Sequence, residues 1–236
     1  MLHFLGIGAQ KAGTTWLHSM LSQHSSLKLP NAKELHYWDK QYPHAPIQNY
    51  LNFFHDQAHY EGEITPAYAS LPSSTIEVIY QHLPRLKLLY CLRNPIDRAW
   101  SAACMFLTRA QMELDEASDQ WFLDHFFSKG SRLRGNYELC IRNWTAFYPR
   151  ESLLLLDYDL IKSSPEQLLT ACCQHLEIPP FTETQLQEML LAIKVFEGKG
   201  YELRPRLKQT LIDLYTPQIH ALSEYLNQDF SHWIQE

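Results

Sequence analysis

The stretch Gly8-Ala9-Gln10-Lys11-Ala12-Gly13-Thr14-Thr15-Trp16 constrains the fold of this chain more than any other. It follows a strand-like run at residues 3–8. It opens a helix-like run at 14–24 whose apolar side carries Trp16, Leu17, Met20 and Leu21. A loop so placed turns backbone N–H groups, and the positive end of the helix, toward an anion. Gly8 and Gly13 permit the tight path. Against the nucleoside-triphosphate pattern G-x-x-x-x-G-K-[ST], Gly8, Gly13 and Thr15 fit, but Thr14 stands where the lysine belongs. The nearest lysine is Lys11, three residues earlier. In the triphosphate version that lysine reaches the β/γ-phosphates and the Ser/Thr holds Mg²⁺. Lys11 therefore keeps the cradle and addresses a different atom, such as a bridging oxygen of the ligand.

Beyond the loop, strand-like and helix-like runs alternate, which predicts an α/β fold with a largely parallel sheet. Strands are expected at 27–29, 86–92 and 152–157. Helices are expected at 46–55, 136–147, 165–176, 183–193 and 206–226, with Asn94-Pro95 starting another. No linker or repeat divides the 236 residues, so a single domain over 1–236 is expected. Twenty basic residues against twenty-six acidic give a net charge of −6 without any basic run, which argues against a nucleic-acid partner. An anion must then be held by a few placed cations. The apolar runs are too short to span a membrane, and no secretory signal is recognisable. Five cysteines without framework spacing suggest reduced thiols and a cytoplasmic enzyme.

A Mg²⁺-dependent phosphate-loop enzyme needs a carboxylate at the end of a buried strand near the loop. Here the run Leu86–Leu92 ends in Arg93, with Ser101 eight residues on. An arginine in that position reads as a second anion clamp. Together the two features ask for a ligand with two separated phosphates and no required metal. Leu153–Leu156 followed by Asp157 imitates the metal-holding strand, and would support a small-molecule kinase using ATP and Mg²⁺. The displaced lysine speaks against it. His55 and His59 have the spacing of a helical zinc pair, but no third ligand accompanies them.

Loop, early lysine and Arg93/Ser101 together resemble the sulfotransferases that use 3′-phosphoadenosine 5′-phosphosulfate (PAPS). Gln10–Leu17 resembles their 5′-phosphosulfate loop, and Leu88–Pro95 with Arg98 and Ser101 their 3′-phosphate motif. Lys33-Glu34-Leu35-His36-Tyr37-Trp38-Asp39 and Gly62-Glu63-Ile64-Thr65-Pro66-Ala67-Tyr68 are similar to segments of the heparan-sulfate-type branch. Gly135, Tyr137, Trp144, Phe147 and Pro149 match a further pattern, and Gly198-Lys199-Gly200 resembles the late loop that closes over the nucleotide. Ile64 departs from the family, where a lysine is common.

The resemblance implies a three-layer fold like that of the phosphate-loop NTPases, a central and mainly parallel sheet flanked by helices. It implies sulfuryl transfer from PAPS, leaving adenosine 3′,5′-bisphosphate (PAP), to a hydroxyl or amine of a carbohydrate or other small-molecule acceptor. Glu34 is then the general base, with His36 as the other proton-handling group, and Lys11 neutralises the leaving phosphate. Lys11, Ala12, Gly13, Thr14, Thr15 and Trp16 hold the 5′ end; Arg93 and Ser101 hold the 3′-phosphate; Lys199, Gly200 and Tyr201 close over the nucleotide. Aromatic character alone, not the resemblance, suggests Tyr201 or Trp38 as the ring that stacks on adenine. The competing readings are the kinase and a nucleotide-binding protein without chemistry.

Overall fold

A computed structural model of the chain describes residues 1–192 and 200–235. Five strands form one sheet: β1 (Leu2–Gly8), β2 (Leu27–Lys28), β3 (Tyr60–Ile64), β4 (Lys87–Leu92) and β5 (Leu153–Asp157). Their order is β2-β3-β1-β4-β5, and every neighbouring pair is parallel. The sheet is flanked by helices, as the alternating pattern predicts. β1 and β4 are almost wholly buried, which is why they read as continuous apolar runs.

The chain divides into two compact units, Met1–Leu92 with Arg142–Val195, and Arg93–Ile141 with Phe196–Glu236. The first holds the sheet, with α1 (Thr14–Leu21), α2 (Ile47–Leu51) and α3 (Ser73–His82). The second opens with α4 (Pro95–Arg109), α5 (Asp119–Phe127) and α6 (Lys129–Gly135). α7 (Tyr137–Thr145) crosses the boundary back into the first unit, which continues with α8 (Leu160–Ser163), α9 (Pro165–Leu176) and α10 (Glu183–Ala192). The second unit ends with α11 (Pro205–Leu226) and α12 (His232–Gln235).

Of the elements that periodicity placed, the strands and long helices lie within a few residues of their expected bounds, whereas β3, α3, α5 and α6 were not placed. The helix expected at 46–55 is shorter, five residues of α2. That leaves His55 and His59 outside any helix, His55 Nδ1 paired with the Asn52 carbonyl and His59 Nδ1 3.2 Å from Asp56 Oδ2. The spacing argument for a zinc pair lapses with the helix. β3 was not legible at all. Its sequence Tyr-Glu-Gly-Glu-Ile places two carboxylates and a glycine in the middle of the sheet. Gly62 is required there, because a Cβ would lie 2.1 Å from the Phe4 ring on β1.

Candidate active site

The loop leaves β1 at Gly8. Ala9 N–H donates to the Cys91 carbonyl at 3.0 Å, which ties the loop's start to the end of β4. Ala12 N–H closes a turn on the Ala9 carbonyl at 3.2 Å. Lys11 and Gly13 both adopt left-handed backbone, φ 68° and 79°. A side chain at Gly13 would also collide with Ile161, 2.2 Å from its Cδ1. Left-handed Gly13 turns the chain into α1, which starts with no side-chain cap and no acidic residue in its first turn. The N–H groups of that turn lack intrahelical acceptors, and no acidic residue of the turn itself competes for them, which suits an anion. Ala12 and Trp16 have buried side chains and offer only main-chain donors, whereas Thr15 is exposed and Lys11 half-buried.

The segment 33–39 gathers four ionisable groups. Lys33 Nζ donates to Glu34 Oε1. His36 Nε2 lies 3.2 Å from Glu34 Oε2, and its Nδ1 lies 2.9 Å from Asp39 Oδ2. The structure thus brings Glu34, His36 and Lys33 together and adds Asp39, which the sequence reading did not use. The Glu34 side chain is 34% exposed and the His36 side chain 26%, so both are reachable. His18, one turn into α1, also senses this group. Burial lowers its pKa, the Lys33 charge lowers it further, and Glu34 opposes them.

Glu63 of β3 is also missing from the sequence reading. It is buried, and its carboxyl accepts from the hydroxyls of Tyr50 at 2.7 Å and Thr65 at 2.6 Å and from Leu35 N–H at 3.4 Å. Burial raises its pKa, while these donors and Tyr68 pull it back. The aromatic residues nearby are mostly core. Trp38 is 2% exposed, packed on Tyr37, Tyr42 and Tyr50, so it is not available to stack on a base. Asp157, the imitation metal ligand at the end of β5, accepts Asp159 N–H at 2.9 Å and shapes a turn.

In the second unit Arg93 directly follows β4. Asn94 caps α4 by accepting Ile96 N–H at 3.0 Å, and Pro95 fills the first helical position. Arg93 and Ser101 are half-buried, and the Tyr137 hydroxyl donates to the Arg93 carbonyl at 2.8 Å. Arg98 is fully buried. Its Nη2 donates to the Ser131 carbonyl and to the Tyr215 hydroxyl, both at 3.1 Å, and Nε and Nη1 have no acceptor among the described residues. Gly200 is exposed with left-handed backbone, φ 67°, and open space around it. The Tyr201 carbonyl accepts from Trp100 Nε1 at 2.8 Å, and its hydroxyl donates to Glu113 at 2.6 Å. Lys199 lies outside the described residues. Among the described residues no group of three His, Cys, Asp or Glu side chains is arranged to hold a metal.

Residues 3–203 match the sulfotransferase domain family. The human bifunctional heparan sulfate N-deacetylase/N-sulfotransferase 2 is 25% identical over 205 residues, covering 75% of this chain but only 22% of that protein's length. Rat carbohydrate sulfotransferase 15 is 22% identical over 98% of this chain and 54% of its own length. In structure, a sulfotransferase from Alicyclobacillus acidocaldarius superposes with a TM-score of 0.77 at 23% identity, covering 99% of this chain and 98% of that one. Mouse SULT7A1 in complex with PAP gives 0.64 at 15% identity, over 96% and 88% of the two chains. At such identities the structural likeness concerns the fold.

Proposed function

The chain belongs to the sulfotransferase domain family, and on that premise we propose that it moves a sulfuryl group from PAPS to a hydroxyl or amine of a carbohydrate or small-molecule acceptor. The observation that carries this reading is the β1–α1 loop, an uncapped helix start with its lysine at position 11 and a threonine at 14. The relatives named for heparan sulfate and carbohydrate favour a sugar as acceptor.

PAPS, when bound, supplies the sulfuryl group. The first-turn N–H groups of Gly13, Thr14 and Thr15 and the Thr15 hydroxyl hold its 5′-phosphate end. The acceptor oxygen or nitrogen forms a bond to sulfur while the bond from sulfur to the bridging oxygen breaks. The electron pair of the broken bond stays on that oxygen, which belongs to the departing PAP. Lys11 neutralises the charge growing there. Glu34 takes the acceptor's proton, with His36 beside it, and Arg93 and Ser101 bind the 3′-phosphate through charge-assisted hydrogen bonds. Gly200 and Tyr201, with Lys199, are the residues that the family resemblance assigns to closing over the nucleotide. Every anionic group of the donor is met by Arg, Lys, hydroxyl or N–H, so the reaction requires no metal.

The test is thermal stabilisation by ligand. PAP raises the melting temperature in EDTA, because a ligand that binds only the folded state stabilises it. Stabilisation by ATP with Mg²⁺ and none by PAP would overturn the assignment in favour of a kinase.

A further inference from the structure

Glu34 and His36 are held in place by more than their own stretch of chain. Both carry left-handed backbone, φ 67° and 52°, which a non-glycine residue adopts only where its surroundings impose it. Leu35 lies between them, and its N–H donates to Glu63 Oε2 at 3.4 Å. Tyr37 N–H donates to the Tyr68 hydroxyl at 3.0 Å, and Gln41 Nε2 donates to the Leu35 carbonyl at 3.4 Å. The anchors Glu63 and Tyr68 lie on and just after β3, in the interior, at 2% and 0% exposure. Every partner of Glu63 named above is a hydroxyl or an amide, and none is a cation. Such a carboxylate neutralises no charge, and the chain spends a buried acid on gathering donors.

We propose that Glu63 is a positioning residue for the acceptor-activating carboxylate. With Tyr68 it fixes the 34–35 and 36–37 peptide planes, one on each side of the Leu35-His36 pair, so that the Glu34 and His36 side chains converge. Tyr50 and Thr65 hold the Glu63 carboxyl still, Tyr50 through Oε1 and Thr65 through the Oε2 that also accepts Leu35 N–H. This inference rests on the reading of Glu34 as the base, and its test must fail separately from that reading.

The experiment is a double-mutant cycle of Glu34→Gln and Glu63→Gln. Turnover is read as PAP release from PAPS with glucosamine as acceptor, and PAP affinity by calorimetry. Displacing a reacting group by a fraction of an ångström costs about 10–100-fold in rate, the expected drop in kcat for Glu63→Gln with PAP affinity unchanged. If Glu63 acts through Glu34, the same substitution has almost no further effect in the Glu34→Gln background. An equal loss in both backgrounds overturns the proposal, because a merely structural role does not depend on whether residue 34 can accept a proton. Amide hydrogen exchange at Leu35 and Tyr37 separates the two failures. Full turnover in Glu34→Gln, with amide protection lost in Glu63→Gln, rejects the base and keeps the anchor. Protection retained in Glu63→Gln rejects the anchor. Should Glu63→Gln not fold, Tyr68→Phe removes only the hydroxyl bonded to Tyr37 N–H, and is read in the same cycle.

Discussion

Glu63 and Arg98 are both enclosed by protein, at 2% and 0% exposure, and the two units treat them in opposite ways. In the sheet-bearing unit, two carboxyl oxygens receive hydroxyls and an amide, which is all an acceptor-only group can use. In the helical unit, a guanidinium with five N–H donors finds its acceptors through one nitrogen, and Nε and Nη1 have none among the described residues. The carboxyl can respond to burial by holding its proton more tightly, and burial does raise its pKa. The guanidinium has no such option, so Arg98 keeps its charge and imposes a field on its neighbours. His125 registers it. Burial, then Arg98 and Arg134, push its pKa down to about 4. The contrast runs alongside the two roles proposed, proton transfer in the first unit and binding of the 3′-phosphate by Arg93 and Ser101 in the second.

The sharpest way to break this division is to uncouple turnover from binding. Glu34→Gln keeps size but accepts no proton, so turnover should fall about 10²–10⁴-fold. Affinity for PAP, measured by calorimetry, should stay unchanged; an equal fall in affinity would make Glu34 part of the nucleotide site. The mirror experiment is Arg93→Ala. Losing a charge-assisted clamp costs on the order of 2–4 kcal/mol of PAP binding. Adenosine 5′-phosphosulfate lacks the 3′-phosphate, so its affinity should barely move, and matched losses for the two ligands would refute the clamp.

The buried pair itself can be compared by replacing each member with methionine. Glu63→Met strands the Leu35 amide and the hydroxyls of Tyr50 and Thr65, and should cost about 2–4 kcal/mol in urea unfolding. Arg98→Met removes a charge and two nitrogens that already lack acceptors, so its cost should stay near about 1 kcal/mol or change sign. A larger loss at Arg98 than at Glu63 would reverse the comparison.

The smallest effect is the pH response of His125. Its folded pKa of about 4 lies below the ordinary 6.5, so between those values the unfolded chain binds a proton that the folded chain refuses. Stability should therefore decline as pH falls from 6.5 toward 4. His125→Phe keeps the ring beside Phe106 and should flatten that slope in melting temperature. A slope unchanged by the substitution would show that burial and the field of Arg98 and Arg134 do not hold the His125 pKa down.

Much of this was legible in the chain. The run Leu86–Leu92 is a strand buried on both faces, and Asn94-Pro95 starts a helix by local chemistry alone, a side-chain cap and a preset φ. The loop around Gly13 was readable for the same reason, since spacing within nine residues defines it. Trp38 was misjudged because aromatic character alone does not distinguish a base-stacking ring from a core ring, and the packing of Tyr37, Tyr42 and Tyr50 decides it. β3 escaped because its carboxylates break the apolar pattern that marks a buried strand.

By itself the sequence determined the α/β class, the glycine-bounded loop between β1 and α1, the arginine after β4 and the presence of Glu34 and His36 in one short segment. All of these are written in local periodicity, spacing and capping. Only the tertiary structure decided that Glu34 and His36 converge, that Glu63 anchors them and that Arg98 lies inside. Those outcomes depend on hydrogen bonds that join Leu35 to Glu63 across 28 positions, Tyr37 to Tyr68 across 31 and Arg98 to Tyr215 across 117. A contact of that separation leaves no pattern in the neighbouring residues. It forms because a buried polar group must find a partner wherever the fold brings one within reach.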